Sequence, residues 1–418
     1  MLIKPIIYFI FSSWMVYSTI TYAKPKYIVD HIDQITIDPQ LGLSGLVRQT
    51  VEKYPDYALI AAMQNETQAL QQRGSRWIAG AAKASMYYRD DFVGSDTGAY
   101  ELEGTIAVPL WNWGQRSAGL RLAEQAGLSA ENKAKAIKLR VAGLVREALW
   151  AMVLENLRYE WADKSVRITK KLLKTVKLRV DLGDLPKSDF LLAESEYFQN
   201  KIKLIHAEAE LMHARKRYLF LTKNSKVPAQ VSEPLSEKRE IDEFHPALAA
   251  INAVVAQQKA NVEWVKAGGS GQTTFAVGGN MDKPSTNEES IDAIVFSVSV
   301  PFGGKGYIAP KIATAQKQYV QAETAKRHLY RYLLEQLHEA EHKLEVERVQ
   351  LKFATKVKAN AEKHFKMASL SFVEGEINLM DFLKIQARSQ NAIQHAEESE
   401  IRLQRDIALY NQAVGVAP

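Results

Sequence analysis

Hydrophobic and polar positions follow two rhythms along this chain. From Tyr100 to Val108 the rhythm is two: Tyr100, Leu102, Gly104, Ile106 and Val108 are separated by Glu101, Glu103, Thr105 and Ala107. Successive side chains of a strand point to opposite faces, so this spacing predicts a strand with one apolar and one polar face. A partner strand over about 82–91 puts Ala84, Met86 and Tyr88 on one side. Later, Phe296, Val298 and Val300 alternate with Ser297 and Ser299, beside a strand predicted near 273–280. The second rhythm is helical. Ile137, Val141, Leu144, Ala148 and Met152 step by fours and threes, as do Leu154, Leu157 and Trp161, with charged residues on the other face. No proline falls between Pro109 and Pro186, and no glycine between Gly306 and Gly375. A continuous helix over about 115–180 would run on the order of 100 Å at 1.5 Å per residue. Apolar seams on rods of that length require packing against other rods, of the same chain or of other chains.

The same order of signals occurs twice. Val108-Pro109 returns as Val300-Pro301, Gly114 as Gly306, Gly183 as Gly375, and Asp189-Phe190-Leu191 as Asp381-Phe382-Leu383, all at an offset of 192. Tyr54-Pro55 matches His245-Pro246 at an offset of 191. One offset held through helix, turn and strand signals points to an internal duplication. A first repeat over 41–223 holds a helix ending near Gly80, a strand pair at about 80–111 and a helical hairpin at about 114–222. A polar linker over 224–240, with Pro228 and Pro234, leads to a second repeat over 241–418. There the helix ends near Gly268-Gly269, the strand pair covers about 272–303 and the hairpin about 308–415.

Composition narrows the setting. Lys4, the apolar stretch from Ile6 to Ile20 and the closing Thr21-Tyr22-Ala23 predict a secretory signal over 1–23, followed by an N-terminal tail over 24–40. The alternative, a membrane anchor, is disfavoured because the apolar core falls short of the roughly 20 residues a spanning helix needs. The chain has no cysteine, which excludes disulfides, thiolate metal sites and a lipid on an N-terminal cysteine. Its 54 basic residues are offset by 48 acidic ones, a net charge of +6, so no nucleic-acid partner is expected. After Ala23 no apolar run approaches a spanning helix, so a membrane could be crossed only by strands closed into a barrel. Four strands cannot close one, since the smallest bacterial form has about eight; several chains would have to contribute. An ordinary half-buried sheet is the competing reading of the same alternation.

Across nearly the whole mature chain, these features resemble the TolC-like outer-membrane efflux family. The duplicated helix, strand pair and hairpin carry the resemblance, with the Val-Pro strand ends and the two hairpin turns. The first turn reads Gly183-Asp184-Leu185-Pro186-Lys187-Ser188-Asp189-Phe190-Leu191-Leu192-Ala193; the second reads Gly375-Glu376-Ile377-Asn378-Leu379-Met380-Asp381-Phe382-Leu383, with Ile385 where alanine would match. The resemblance implies an α+β membrane protein: a homotrimer whose chains each give four strands to one twelve-stranded transmembrane barrel and their helices to a coiled-coil tunnel in the periplasm. It implies outer-membrane lipid, a periplasmic adaptor and an inner-membrane pump as partners, and a passive channel with no enzymatic activity and no cofactor. Chain length and the missing lipidation cysteine lean toward the heavy-metal branch.

In this reading Gly183, Asp184, Asp189, Gly375, Glu376 and Asp381 lie at the periplasmic tip, as gate or adaptor contact. Glycine ends a helix in the left-handed conformation, and Ser188 or Asn378 can cap the returning one, which accounts for the turns on structural grounds alone. Helix termination does not require so many acids: Asp181, Asp184, Asp189, Glu374, Glu376 and Asp381 would form an acidic ring in a trimer, or simply be solvated. No metal is expected; His338 and His342 are the nearest thing to ligands. His338-Glu339-Ala340-Glu341-His342 matches the H-E-x-x-H zinc-protease string, yet lies midway along a charged rod where solvated or packed histidines are the simpler account. His206 and His213, seven apart, invite the same account. Lys164, Arg167, Lys170, Lys171, Lys174 and Lys177 form a basic stretch, read first as a salt-bridged face with Lys174 near Glu194 and second as an adaptor contact. Gly303-Gly304-Lys305-Gly306 lacks the spacing of a phosphate loop, and Trp111 and Trp113 suit either a membrane interface or a packed junction. A periplasmic adaptor is the first rival function, although adaptors carry one hairpin among soluble domains. A zinc protease is the second.

Overall fold

The computed structural model describes residues 34–418; the signal over 1–23 and most of the expected tail lie outside them. In chain order the elements are β1 (Thr36–Asp38), α1 (Leu43–Lys53), α2 (Asp56–Ser75), β2 (Lys83–Asp90), β3 (Tyr100–Pro109), α3 (Gln115–Asp181), α4 (Lys187–Thr222), β4 (Lys226–Pro228), α5 (Pro246–Ala267), β5 (Thr274–Lys283), β6 (Ile291–Ser299), α6 (Lys305–Val373) and α7 (Leu379–Ala413). Two compact units result. Among the described residues one is Ala162–Met212, the end of α3 with most of α4; the other is the remainder. No described helix is long and apolar enough to cross a membrane.

α3 runs for 67 residues, as the absence of internal proline predicts, and α6 runs for 69 with Pro310 near its start and no glycine after Gly306. α2 stops at Ser75, short of the end expected near Gly80. Its last carbonyls are taken by side chains of the next segment. The Arg116 guanidinium donates to the Gly74 and Ser75 carbonyls at 3.0 Å each, and Trp111 Nε1 donates to the Arg76 carbonyl at 3.1 Å. With those acceptors satisfied, residues 76–82 are released to lead into β2.

The core of the larger unit gathers around α3. Leu46 and Val47 of α1, Ile60 of α2, Tyr218 of α4 and Val227 of β4 pack against Ile137, Val141, Val145 and Leu149. The stretch 224–240, expected as a polar linker, is docked instead. β4 pairs in parallel with β1 through Ile37 and Val227, and Lys226 meets Asp38 at 3.0 Å. Further along, Glu233 takes two hydrogen bonds from Arg146, at 2.8 and 2.6 Å. The same guanidinium donates to Gln412 Oε1 at 2.7 Å and to the Val416 carbonyl at 3.0 Å, so one fully buried arginine joins α3, the inter-repeat stretch and the C-terminus. Toward Trp161 a second polar layer ties α3 to α7: Arg158 reaches both carboxylate oxygens of Glu398, and Trp161 Nε1 donates to Glu397, which also meets Lys358 of α6 at 2.9 Å.

His245 closes the start of α5. Its Nδ1 accepts the Ala247 N–H at 3.2 Å while the ring is only 1 % exposed. Gly415, at φ +80°, lies so close that a Cβ there would meet the ring Cδ2 at 2.5 Å. Burial holds His245 below its usual pKa. A base depressed in the folded state contributes stability that is fully present above its unfolded pKa and is lost as pH falls through the folded value. Acidification below about pH 6.5 is therefore expected to lower the denaturation midpoint. His245→Asn keeps a capping acceptor and should flatten that part of the profile. Asp406, pushed up by burial, gains stability on acidification, so the difference between variant and parent is the quantity to measure.

Candidate functional site

The antiparallel sheet has the order β2-β3-β5-β6. Its register stacks apolar residues on one face: Met86 opposite Gly104 and Tyr88 opposite Leu102, then Ile106 opposite Val277 and Val108 opposite Phe275, then Val277 opposite Phe296 and Phe275 opposite Val298. This face is the open one. Met86 is 80 % exposed, Ile294 74 % and Phe296 67 %. Leaving side chains of this size in water costs about 1.5–3 kcal/mol each relative to burying them. The opposite face is polar and internally bonded. Ser85 and Thr105 share a hydrogen bond at 2.9 Å, Arg89 meets Glu101 at 3.2 Å, and Asn280 donates to Glu101 at 3.1 Å. β2 and β6 pair on one side only, so the backbone groups of both outer edges are open within the chain.

At the helix end of the sheet, Trp77, Trp113, Phe302 and Tyr307 are exposed. Trp111 instead packs edge-on against Trp264, with ring centroids 6.1 Å apart, as a packed junction requires. Gly304 starts α6 at φ +70°, a junction role for the glycine run. At the far end, the loop between β2 and β3 folds around Asp91, which accepts from Ser95 Oγ, Thr97 N, Thr97 Oγ1 and Ala99 N. The Thr97 carbonyl in turn accepts from Thr286 N and Oγ1, joining the two strand-pair loops. The sequence carried no signal for this clamp beyond the turn-forming composition of the loop.

Each hairpin turn gathers its own candidate residues. Gly183 adopts φ +81°; its N–H donates to the Val180 carbonyl and that of Asp184 to the Arg179 carbonyl at 2.8 Å. Gly375, at φ +80°, repeats the pattern, with its N–H on the Phe372 carbonyl and that of Glu376 on the Ser371 carbonyl. These paired bonds close a helix on a left-handed residue, where a side chain costs about 1–2 kcal/mol. Asn378 caps α7, accepting the Asp381 N–H at 2.8 Å while its own amide donates to the Asp381 carboxylate. Ser188 does not cap α4: the helix already begins at Lys187, and the Pro186 carbonyl accepts the Asp189 N–H. Asp189 lies in the first turn of α4, and Asp381, in that of α7, also meets Lys384 at 3.7 Å. Glu376 accepts from Ser371 Oγ. Asp181, Asp184 and Glu374 are exposed.

His338 and His342 are exposed on α6, and Glu339, the base a protease would need, is paired with Lys343 at 2.6 Å. Among the described residues no group of three or more His, Cys, Asp or Glu side chains is placed to hold a metal. His206 and His213 are exposed as well. The basic stretch is exposed along α3, where Arg167 pairs with Asp163 at 3.0 Å.

Long helices joined to a four-stranded sheet with an exposed apolar face form a fold shared with several solved structures. Among solved structures, the chain is similar to the outer membrane protein VceC of Vibrio cholerae, at 13 % identity and TM-score 0.70, covering 90 % of this chain and 97 % of that one. It is also similar to the CmeC outer membrane channel of Campylobacter jejuni, at 12 % identity and TM-score 0.69, covering 98 % and 94 %. The MtrE outer membrane channel of Neisseria gonorrhoeae, solved in its open state, aligns at 14 % identity and TM-score 0.67, covering 92 % and 91 %. No family model matches the chain, and no curated protein does.

Proposed function

We propose that this chain is a subunit of an outer-membrane channel in a tripartite efflux system, a passive duct from periplasm to exterior with no catalysis of its own. One observation carries the reading: a sheet that exposes a continuous apolar face, with its polar side chains gathered on the other face, and leaves both edges unpaired. In lipid the apolar face is satisfied directly, and the edges are satisfied when β6 of one copy pairs with β2 of the next. The strands alternate in direction, so an antiparallel ladder can continue from copy to copy. Three copies give twelve strands, above the minimum of about eight. The long helices then form the periplasmic tunnel, opened when an adaptor and an inner-membrane pump engage.

The turns at Gly183 and Gly375 are the proposed tip, with Asp184, Asp189, Glu376 and Asp381 at the gate or adaptor contact. Two of the neighbouring acids support a role for charge. Asp181 ends α3 and Glu374 is the C-cap of α6, at the negative pole of each helix dipole, where an acid costs about 0.3–1 kcal/mol instead of stabilising. Helix stability therefore does not explain them.

The test is fractionation of membranes followed by electrophoresis of unheated and heated samples. A heat-sensitive band near three chain masses in the outer-membrane fraction, with ion conductance when reconstituted, is the expected result. A soluble monomer in the periplasm would overturn the proposal.

A further inference from the structure

We propose that His338 and His342 form a two-point surface site for a late first-row divalent cation, Cu²⁺ in preference to Ni²⁺ or Zn²⁺. The site is distinct from the protease the same string spells, which would need a cleft and a free Glu339. Residues one turn apart on a helix have Cβ atoms about 5–6 Å apart, so two imidazoles at this spacing can converge on one ion. Three features of the fold prepare them to do so. α6 is continuous through this region, and its other face is anchored: Leu337, Ala340 and Leu344 are buried with Tyr410 and Val414 of the C-terminal segment. That anchorage fixes the helix backbone that carries the two histidines on its exposed side, so binding has only their side chains to order. Lys343 occupies Glu339, one of the two carboxylates between the histidines. Glu335 and Glu345, three residues before His338 and three after His342, are both exposed and add negative charge on the same stripe. Two neutral imidazoles with water in the remaining positions suit the borderline cations, whose affinity for nitrogen ligands peaks at copper.

The experiment uses the full mature chain, purified in detergent without a histidine tag, and titrated with copper, nickel and zinc chlorides by calorimetry. Copper coordination is followed by electron paramagnetic resonance. The expected result is one copper per chain with hyperfine structure from two nitrogens, and nickel and zinc binding more weakly. His338→Ala or His342→Ala should each weaken binding at least about tenfold without loss of helix, since alanine is the best helix former. His206→Ala should leave binding unchanged. No copper binding, or the same binding in the double variant, would overturn the proposal. Either result is independent of whether the chain conducts ions.

Discussion

Arg146→Met is expected to destabilise the chain by about 3–5 kcal/mol, the cost of leaving one member of a buried ion pair without its partner. Arg146 is fully buried and holds Glu233, Gln412 and Val416 at once. Removing it strands the Glu233 carboxylate, which is 11 % exposed, and takes one tie to α3 from both the inter-repeat stretch and the C-terminus. Denaturant unfolding in detergent should show an earlier transition for the variant. The double variant Arg146→Met, Glu233→Leu should recover much of the loss, because two apolar side chains carry no unpaired charge. A single variant as stable as the parent would mean that water reaches the site.

Phe296→Arg should weaken insertion by about 2–4 kcal/mol, the cost of a cation near the middle of a barrel's lipid-facing band. Phe296 lies on the open apolar face, opposite Val277, which in turn faces Ile106. Ser297→Arg, one residue on and therefore on the opposite face, is the matched control and should cost little. The two effects separate if the apolar face meets lipid and converge if both faces meet water. Refolding yield into bilayers and the intensity of the heat-sensitive oligomer band measure the difference. Equal losses would remove the main support for the membrane reading.

The faces and the rods were legible because they depend on short-range periodicity. Alternation from Tyr100 to Val108 identified which side chains share a face, and the bonds around Glu101 and Thr105 lie on the polar one. Lack of internal breakers marked α3, and the glycines of the hairpin turns take the left-handed conformation their positions require. Less legible was everything that depends on segments distant in sequence. Arg146 read as part of a charged outer face of α3, yet that turn is buried nearly all round because residues near 233 and 412–416 cover it. Gly143, unremarkable in the sequence, sits where Gln412 leaves no room for a Cβ. The parallel pairing of β1 with β4 joins two three-residue strands too short for alternation to reveal.

The candidate residues divide in the same way. Their place on helix, turn or strand was set by the sequence itself, through periodicity, glycine and the duplicated order. Their local circumstances were decided by tertiary structure: Asn378 bonds to Asp381, Ser188 lies past its helix start, Lys343 occupies Glu339, and the sheet turns its apolar side outward. Alternation says that a strand has two faces but not which one is covered. That choice depends on what other parts of the chain, or the surrounding medium, bring to each face, and no local pattern carries it.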